Sequence, residues 1–263
     1  TLNDKHTLFY LICVTDHLML QKISILLLLS LLYCCGSKNH PQKVALDPSW
    51  YPLDLEDRNV QLLGFSTEIL QKVSKKIPLA KLTVDAHYLL EDLLQGKYEA
   101  VLSSFPPYNF NKDRFDFSES YLMLGPVIVV DKSSNISSIK QLKGKAVGVL
   151  SDATALLIES VPDVLIHQYS SKSQALEAVN LKVLDAALID ILSAYAYCED
   201  LYQDKLKVGS LPLTNEALRL ITIRNKNSSL IKAFNQEIHQ LNESGEYQKM
   251  LNKWGLPQKE MKK

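Results

Sequence analysis

The chain has 263 residues, of which 46% are hydrophobic and 22% are charged, proportions typical of a globular protein. Its 29 basic and 29 acidic residues give a formal net charge of zero, without a long run of like charge. This balance argues against nucleic acid as a partner. The length allows one large domain or two smaller ones with a substantial buried core.

The N-terminal segment has the layout of an export signal. Lys22 precedes an apolar run over residues 23–33, which is shorter than the ~20 residues that span a bilayer. A positive residue followed by a short apolar run and small residues is typical of a secretory signal peptide. Because Met19 stands just before this layout, we expect residues 1–18 to be a non-native upstream extension; a true longer N-terminus is the alternative.

Two cysteines directly follow the apolar run. Cys35, with Leu32 three positions before it and Cys34 just before it, is similar to the acylated cysteine of a bacterial lipobox. We therefore expect residues 19–35 to form a signal peptide with a lipobox and Cys35 to carry lipid. Acylation at Cys34, or two plain thiols in an ordinary signal peptide, are the alternatives.

Cleavage at Cys35 leaves a polar tether over residues 36–42. The exported chain then contains one further cysteine, Cys198, so stability must come from the core without an intramolecular disulfide. No histidine neighbours Cys198 in the sequence, which favours a buried structural thiol over a nucleophile.

From Lys43 onward, short apolar runs alternate with segments of helical periodicity. An apolar residue recurs every four positions from Phe65 to Ile77, which predicts one buried face of a helix. Ser171, with Gln174 three residues later, predicts the start of another helix, and Gly245 the end of a late one. Strands are predicted over residues 44–46, 82–84, 99–102, 127–130, 146–149, 165–167, 186–190 and 220–223, and further helices over 88–95, 153–160 and 230–241.

This alternation of strands and helices argues for an α/β fold with largely parallel sheets. It occurs in two runs, each too short for one large sheet, and therefore predicts two lobes. The segment Pro107–Ser120 and the pair Gly125-Pro126 are the expected loop and crossover positions.

Motifs in a fixed order cover about residues 43–256. They are DPSWYPL (47–53), GFSTEI (64–69), QGKYEA (95–100), DFSESY (116–121), LKGKAVGV (142–149), LDAALID (184–190), SGEY (244–247) and KWG (253–255). With these motifs the chain resembles the bacterial extracellular solute-binding proteins of family 3. Members of that family, such as glutamine- and arginine-binding proteins, serve polar amino-acid ABC importers.

The resemblance implies a two-lobed periplasmic-binding-protein fold of type II, with two α/β lobes joined by a two-segment hinge. Lobe 1 is expected over residues 43–124 plus 217–256 and lobe 2 over 125–212. Residues 213–216 then form the return hinge and 257–263 a C-terminal tail. The ligand is expected to bind between the lobes and to favour their closed arrangement, which a membrane permease recognises.

The resemblance also implies a set of ligand-binding residues. In the family, an arginine and a helix N-terminus bind the carboxylate of an amino acid, while an aspartate binds its ammonium group. Asp190 matches that aspartate, and Asp47 ends the first predicted strand at the expected cleft. Ser104 joins them as a ligand-binding residue, and Trp50 and His87 fall at aromatic wall positions. For His87, a surface or core position is the alternative.

The carboxylate side departs from the family pattern. An ungapped alignment over residues 99–118 puts Asn111 where the arginine should stand and Pro106 where a binding threonine should stand. Arg114, three residues further on, is the candidate replacement if the loop is rearranged.

The start of a helix in the second lobe departs as well. Ser151-Asp152-Ala153-Thr154 replaces the family's Ser/Thr-Gly-Thr, which leaves Ser151 and Thr154 as candidate ligand-binding residues. Asp152 would repel a carboxylate, although it suits a helix start as an N-cap. These substitutions predict a ligand with a positive or amine-rich group, not restricted to standard α-amino acids.

An enzyme on the same fold, of the dehydratase or cell-wall lytic type, and a sensor lipoprotein are the alternative classes. By residue type alone, a lytic enzyme could draw on Glu68, Glu91, Glu99 and Glu119. The sequence contains no GxSxG, HExxH, paired CxxC or phosphate-loop motif, and its histidines lack metal-ligand spacing. We therefore expect a monomeric periplasmic lipoprotein without catalytic activity, cofactor or metal. Its expected partners are a small ligand (an amino acid or a related amine), an ABC permease and the membrane.

Overall fold

The computed structural model describes residues 40–49 and 59–256. The expectations for the upstream extension, the signal peptide, Cys35, Trp50 and the tail over 257–263 lie outside these ranges. The described residues from Pro41 onward belong to one compact unit, which contains two β-sheets with helices packed on them.

Short strands and helices alternate along the described chain. The strands are β1 (Gln42–Leu46), β2 (Leu79–Thr83), β3 (Ala100–Ser103), β4 (Phe115–Phe117), β5 (Leu122–Met123), β6 (Pro126–Asp131), β7 (Ala146–Val149), β8 (Leu165–Gln168), β9 (Ala186–Asp190), β10 (Leu206–Val208) and β11 (Ala217–Ile223). The α-helices are α1 (Asn59–Val73), α2 (Leu89–Leu94), α3 (Asn109–Lys112), α4 (Asp152–Leu156), α5 (Lys172–Asn180), α6 (Ile191–Asp200), α7 (Ser228–Glu243) and α8 (Glu246–Lys253). Residues Ala86–Tyr88 and Ile139–Leu142 form 3-10 helices.

The first sheet has the strand order β2-β1-β3-β11-β4, and β5 also pairs with β11. Strands β2, β1 and β3 are parallel, whereas β11 runs antiparallel to β3, β4 and β5. In this register Asp47, just after β1, lies beside Ser103 of β3, and Ser103 is paired with Arg219 of β11. Three polar residues therefore form one row across three neighbouring strands.

The second sheet has the strand order β10-β6-β9-β7-β8. Strands β7, β8 and β9 are parallel, and β6 is antiparallel to both β9 and β10. Both sheets are thus mixed, and the expectation of largely parallel sheets is wrong. The reason is that β6 and β11 are the first strands after the chain crosses between the sheets, and each runs antiparallel to its neighbours. Strand β6 opposes β9 and β10, and β11 opposes β3, β4 and β5.

Two chain segments connect the sheets and lie side by side. One runs from β5 to β6 through Gly125, and the other runs from β10 back to β11. The Leu213 N–H donates to the Pro126 carbonyl at 2.8 Å, and the Leu124 N–H donates to the Glu216 carbonyl at 2.9 Å. The chain therefore passes between the sheets at Gly125 and again between β10 and β11. The lobe boundaries and the return hinge over 213–216 stay predictions.

Alternate strand residues of the first sheet pack on opposite faces, as strand geometry requires. Val44, Leu46 and Leu102 join the core that α1 and α7 cover, whereas Ala45, Val101 and Ile221 join the core that α2 covers. By the same alternation, Asp47, Ser103 and Arg219 belong to the face that α2 covers. This face therefore changes from apolar to polar at one end of the sheet.

Three predicted elements differ from the observed ones. The helix predicted through Ile77 ends at Val73, because Pro78 keeps the residue before it out of the helical region. The helix predicted over 153–160 stops at Leu156, ahead of Pro162. The segment Pro107–Ser120, expected as a loop, contains α3 and β4, since Phe115 is buried in the core beside β11.

Cys198 lies in α6 and is 7% exposed. Burial raises the pKa of its thiol to about 11, so the thiolate is scarce at neutral pH. The expected buried structural cysteine is therefore confirmed. In the described part of the chain, helices are too short or too polar to cross a membrane.

Candidate functional site

Most of the predicted site residues stand at the carboxyl ends of the parallel strands. In the first sheet β1 leads into Asp47, and in the second sheet β9 ends at Asp190. Pro126, where the chain enters the second sheet, is paired with Asp190, and β5 leaves the first sheet beside the start of β11. Each polar edge therefore lies at the end of its sheet where the connecting segments pass. Such edges are where open α/β sheets bind ligands.

On the first edge, the Asp47 carboxylate is buried and held by hydroxyl and backbone donors. The Ser103 hydroxyl donates to Oδ2 at 2.7 Å. The Ser49 N–H and hydroxyl donate to Oδ1 at 3.0 and 2.9 Å. Ser104, the next residue after β3, is 2% exposed and thus lies at the same buried edge.

His87 lies in the 3-10 helix Ala86–Tyr88, which follows the outer strand β2 at the same end of the sheet. Its side chain is 86% exposed, and its Nδ1 stands 3.0 Å from Asp85 Oδ1. The His87 backbone N–H and then its ring hold the pKa of Asp85 below its usual value. The structure does not bring His87 together with Asp47, and its exposure favours the surface alternative.

On the second edge, Asp190 holds an ammonium group. Its Oδ1 accepts the backbone N–H of Ser193 at 2.9 Å and so caps α6. Its Oδ2 lies 2.9 Å from Lys172 Nζ, which also donates to the Ser193 hydroxyl at 2.9 Å. A carboxylate and a hydroxyl converging on one ammonium nitrogen form a receptor for a primary amine.

Ser151 and Thr154 stand together at the start of α4. Ser151 is the N-cap, with its hydroxyl accepting the Thr154 N–H at 3.3 Å and lying 2.9 Å from the Thr154 hydroxyl. Asp152 is the first helical residue and not the N-cap, contrary to the interpretation from sequence. The physical reason is that Ser151 already supplies the capping oxygen one position earlier.

Asn111, at the expected arginine position, is a buried residue of α3. Its amide nitrogen donates to the Pro106 carbonyl at 2.8 Å, and only 6% of the residue is exposed. This contact ties α3 to the segment that follows β3. The Asn111 amide thus has a structural contact of its own. Its partner, Pro106, is the other position at which the chain departs from the family pattern.

Arg114, the candidate replacement, lies at the other end of the sheet. Its guanidinium stands over the Phe115 ring at 5.7 Å. Phe115 is paired with Ile223 of β11, four residues beyond the Arg219 that pairs with Ser103. At about 3.3 Å per residue, Arg114 is therefore about 16 Å from the level of Asp47 and Ser103 along the strands. The structure does not bring it to the polar edge.

Three residues of the two edges were not predicted from sequence: Ser103, Lys172 and Arg219. Two of them, Lys172 and Arg219, have sequence features from which a site role could have been predicted. Lys172 is a basic residue in the first turn of a helix, where the dipole disfavours it and a specific acidic partner is needed. Arg219 is a charged residue inside a mostly buried strand.

Three of the four glutamates that a lytic enzyme could draw on have structural partners. Burial acts to raise the pKa of Glu68, but hydrogen bonds from Lys253 and Trp254 outweigh it and hold this pKa below its usual value. A glycosidase acid requires a raised pKa. Glu119 pairs with His239 at 3.1 Å, and Glu99 accepts the Lys43 N–H at 2.6 Å.

The chain folds into two mixed β-sheets with helices packed on them, joined by two crossing segments. Polar residues stand at the carboxyl ends of the parallel strands in both sheets, and this arrangement is that of a two-lobed solute-binding protein. Residues 43–257 match the family of bacterial extracellular solute-binding proteins, family 3, and the chain belongs to this family. The resemblance seen in the sequence motifs is thereby confirmed.

Individual relatives are similar over most of their length. The arginine-binding extracellular protein ArtP of Bacillus subtilis (strain 168) is 28% identical over 232 residues, covering 83% of this chain and 88% of that protein. The L-cystine-binding protein TcyJ of Escherichia coli (strain K12) is 25% identical over 221 residues, covering 80% and 81%. Both are named as binding proteins, in agreement with a non-catalytic role.

A solved structure shares the fold. The L-cystine solute receptor of Neisseria gonorrhoeae, in its unliganded open conformation, superposes with a TM-score of 0.66 at 21% identity. The likeness covers 82% of this chain and 93% of that one. The two-lobed α/β fold expected from sequence is confirmed.

Proposed function

We propose that the chain captures a small amino acid or related amine between its two polar edges and delivers it to an ABC permease. The observation that carries the proposal is the Lys172 ammonium held by Asp190 and Ser193. A ligand ammonium group has the same charge and the same three donors, so it fits the same acceptors.

The relatives support this ligand class. ArtP is named for arginine and TcyJ for L-cystine, and both compounds carry an α-ammonium and an α-carboxylate group. A family whose members bind such solutes outside the cytoplasm agrees with a role in uptake. Capture involves closing of the lobes about the paired connections, which the ligand favours by contacting both edges.

The amine part of the proposal is tested by titrating the purified protein with a panel of amino acids and amines in a calorimeter. We expect Asp190→Asn to weaken binding by about tenfold or more, because a charged acceptor becomes neutral. Asp185→Asn is the matched control, since Asp185 pairs with Lys145 on the second lobe. Unchanged affinity in Asp190→Asn would contradict the role of Asp190.

We also propose that the chain is exported and held at the membrane by lipid on Cys35. The support is the order of Lys22, the apolar run and the two cysteines. Metabolic labelling with an alkyne fatty acid should modify the wild-type protein and the Cys34→Ser variant but not Cys35→Ser. Labelling that depends on Cys34 would move the acylation site by one residue.

A further inference from the structure

Arg219 stands in a row with the acceptors of the first polar edge. It is paired with Ser103, whose hydroxyl donates to Asp47, and all three side chains belong to the same face of the sheet. Ile221, the next residue of β11 on that face, lies in the apolar core. The row thus places a cation where the core ends and the polar edge begins.

The guanidinium of Arg219 has spare donors. Its Nη1 donates to the Ala217 carbonyl at 3.4 Å and its Nη2 to the Asn215 carbonyl at 3.2 Å, both neutral acceptors at long range. Among the described residues, no carboxylate forms an ion pair with it. A guanidinium has five N–H donors, so most of its hydrogen-bonding capacity is unused.

Burial makes this unused capacity costly. Arg219 is half-buried, and burial alone lowers the pKa of its guanidinium. A cation that is partly withdrawn from water without an anionic partner gains from binding an anion. A carboxylate suits it best, because its two oxygens match the guanidinium fork.

The position of Arg219 is also right for a ligand between the edges. Asn215 belongs to the connection that returns to the first sheet, and Ala217 is the first residue of β11. The guanidinium therefore lies against the end of this crossing segment. Asp47 is two strand spacings away, about 10 Å, so a carboxylate on Arg219 need not contact it. Arg114, by contrast, lies at the opposite end of the same strands.

We infer that Arg219 binds the carboxylate of the captured solute, in place of the arginine that Asn111 replaces. This inference rests on the proposed function and narrows it: the ligand is a zwitterion with an ammonium and a carboxylate group. The absence of a cation at position 111 then changes which element holds the carboxylate, and not the class of ligand.

The experiment compares L-amino acids with amines that lack the carboxylate. Purified wild-type protein and Arg219→Gln, Arg219→Lys and Arg224→Gln variants are titrated calorimetrically with a panel including L-arginine, L-cystine, agmatine and cystamine. Arg224 is the matched control, because it is a surface arginine just beyond the far end of β11 that pairs with Asp113. Thermal unfolding of each variant reports on folding.

We expect Arg219→Gln to weaken binding of the tightest-binding amino acid roughly 30-fold or more, since the variant loses charge-assisted hydrogen bonds to the carboxylate. The affinity of Arg219→Gln for the corresponding amine should change by less than about threefold. Arg219→Lys should bind the amino acid with intermediate affinity, and Arg224→Gln should bind it like the wild type. Affinity for the amino acid within about threefold of wild type in Arg219→Gln would overturn the inference. Equal losses for acid and amine would also overturn it, by assigning Arg219 a purely structural role. If the wild type bound neither acids nor amines, the proposed function itself would fail and the inference with it.

Discussion

The Asp190–Lys172 pair brings together two residues that are 18 positions apart in sequence. Asp190 closes a parallel strand, whereas Lys172 opens the helix after another one, and both stand at the same edge of the second sheet. Lys172 therefore occupies the acceptors that we propose for the ligand. Ligand binding has to displace it, which lowers the apparent affinity.

Removal of this competing cation should strengthen binding. We expect Lys172→Met to raise the affinity for an amine-bearing ligand by about 3- to 10-fold, because the competing ammonium group and its repulsion of the ligand disappear. Calorimetric titration measures the effect. Lys145→Met, which breaks the Lys145–Asp185 pair, should leave the affinity unchanged. Weaker binding by Lys172→Met would mean that Lys172 contacts the ligand favourably.

Tyr98 predicts a pH dependence of stability. Burial, and then the charges of Asp92 and Asp47, raise the pKa of its hydroxyl from about 10 to about 12. Below pH 10 the hydroxyl is protonated in both the folded and the unfolded chain, so its contribution to the free energy of unfolding is fully present. Between pH 10 and 12 the unfolded chain loses the proton first, and the free energy of unfolding falls as pH rises.

Chemical denaturation at pH 9 and pH 11 tests this effect. Between pH 9 and pH 11, we expect the free energy of unfolding to fall by roughly 1 kcal/mol less in Tyr98→Phe than in the wild type, since phenylalanine does not titrate. The exposed Tyr108, changed to Phe, should behave like the wild type. An equal alkaline loss in Tyr98→Phe and the wild type would exclude the contribution.

At the scale of elements, the motifs that identify the family pack against one another. Phe65 of the GFSTEI motif stacks near Tyr121 of DFSESY at 6.2 Å and meets Tyr247 of SGEY edge-on at 5.7 Å. The Ser66 hydroxyl lies 2.8 Å from the Tyr121 hydroxyl. These motifs could be recognised in the sequence because the first-lobe core constrains them, and they say little about the ligand.

Gly64 illustrates this packing between α1 and the segment after α8. A Cβ at Gly64 would stand 2.1 Å from the nearest ring atom of Trp254. Although alanine is the better helix former by about 1 kcal/mol, we expect Gly64→Ala to lower the free energy of unfolding by roughly 1–3 kcal/mol through overpacking. Denaturant unfolding measures it.

The double variant Gly64→Ala/Trp254→Leu is the control. With the ring removed, the added methyl group should cost much less than in the wild-type background, as a double-mutant cycle would show. Additive effects of the two substitutions would place the cost elsewhere than in this contact.

At the scale of the whole molecule, we expect the two connections between the sheets to decide how the polar edges approach each other. They lie so close that a Cβ at Gly125 would stand 2.3 Å from the Thr214 hydroxyl. Backbone hydrogen bonds join Leu213 to Pro126 and Leu124 to Glu216 across the two segments. A hinge of this kind absorbs the change in backbone angles when lobes close.

A side chain at Gly125 should therefore disturb closing. We expect Gly125→Ala to weaken ligand affinity by about tenfold and to reduce the ligand-induced decrease in radius of gyration measured by X-ray scattering. Adding Thr214→Ala removes the clashing hydroxyl and should restore most of both. Wild-type compaction and affinity in Gly125→Ala would argue against a hinge at this position.

Much of the molecule follows from local sequence patterns. The strand from 186 to 190, the capping serine at 171 and the apolar face of α7 were predicted because each depends on neighbouring residues. The short strands β4, β5 and β10 were not, since two or three residues carry no readable period and form only by pairing with a partner strand.

The sequence by itself therefore determined the two-lobed class and the family, and it predicted Asp47 and Asp190 as acidic acceptors for the ligand. Tertiary structure decided how these acceptors are surrounded. Only strand register places Arg219 beside Ser103 and leaves Arg114 at the far end, and only the second sheet brings Lys172 onto Asp190. The physical reason is that a strand end is visible in local residues, whereas the partner of a charge depends on which strands lie side by side.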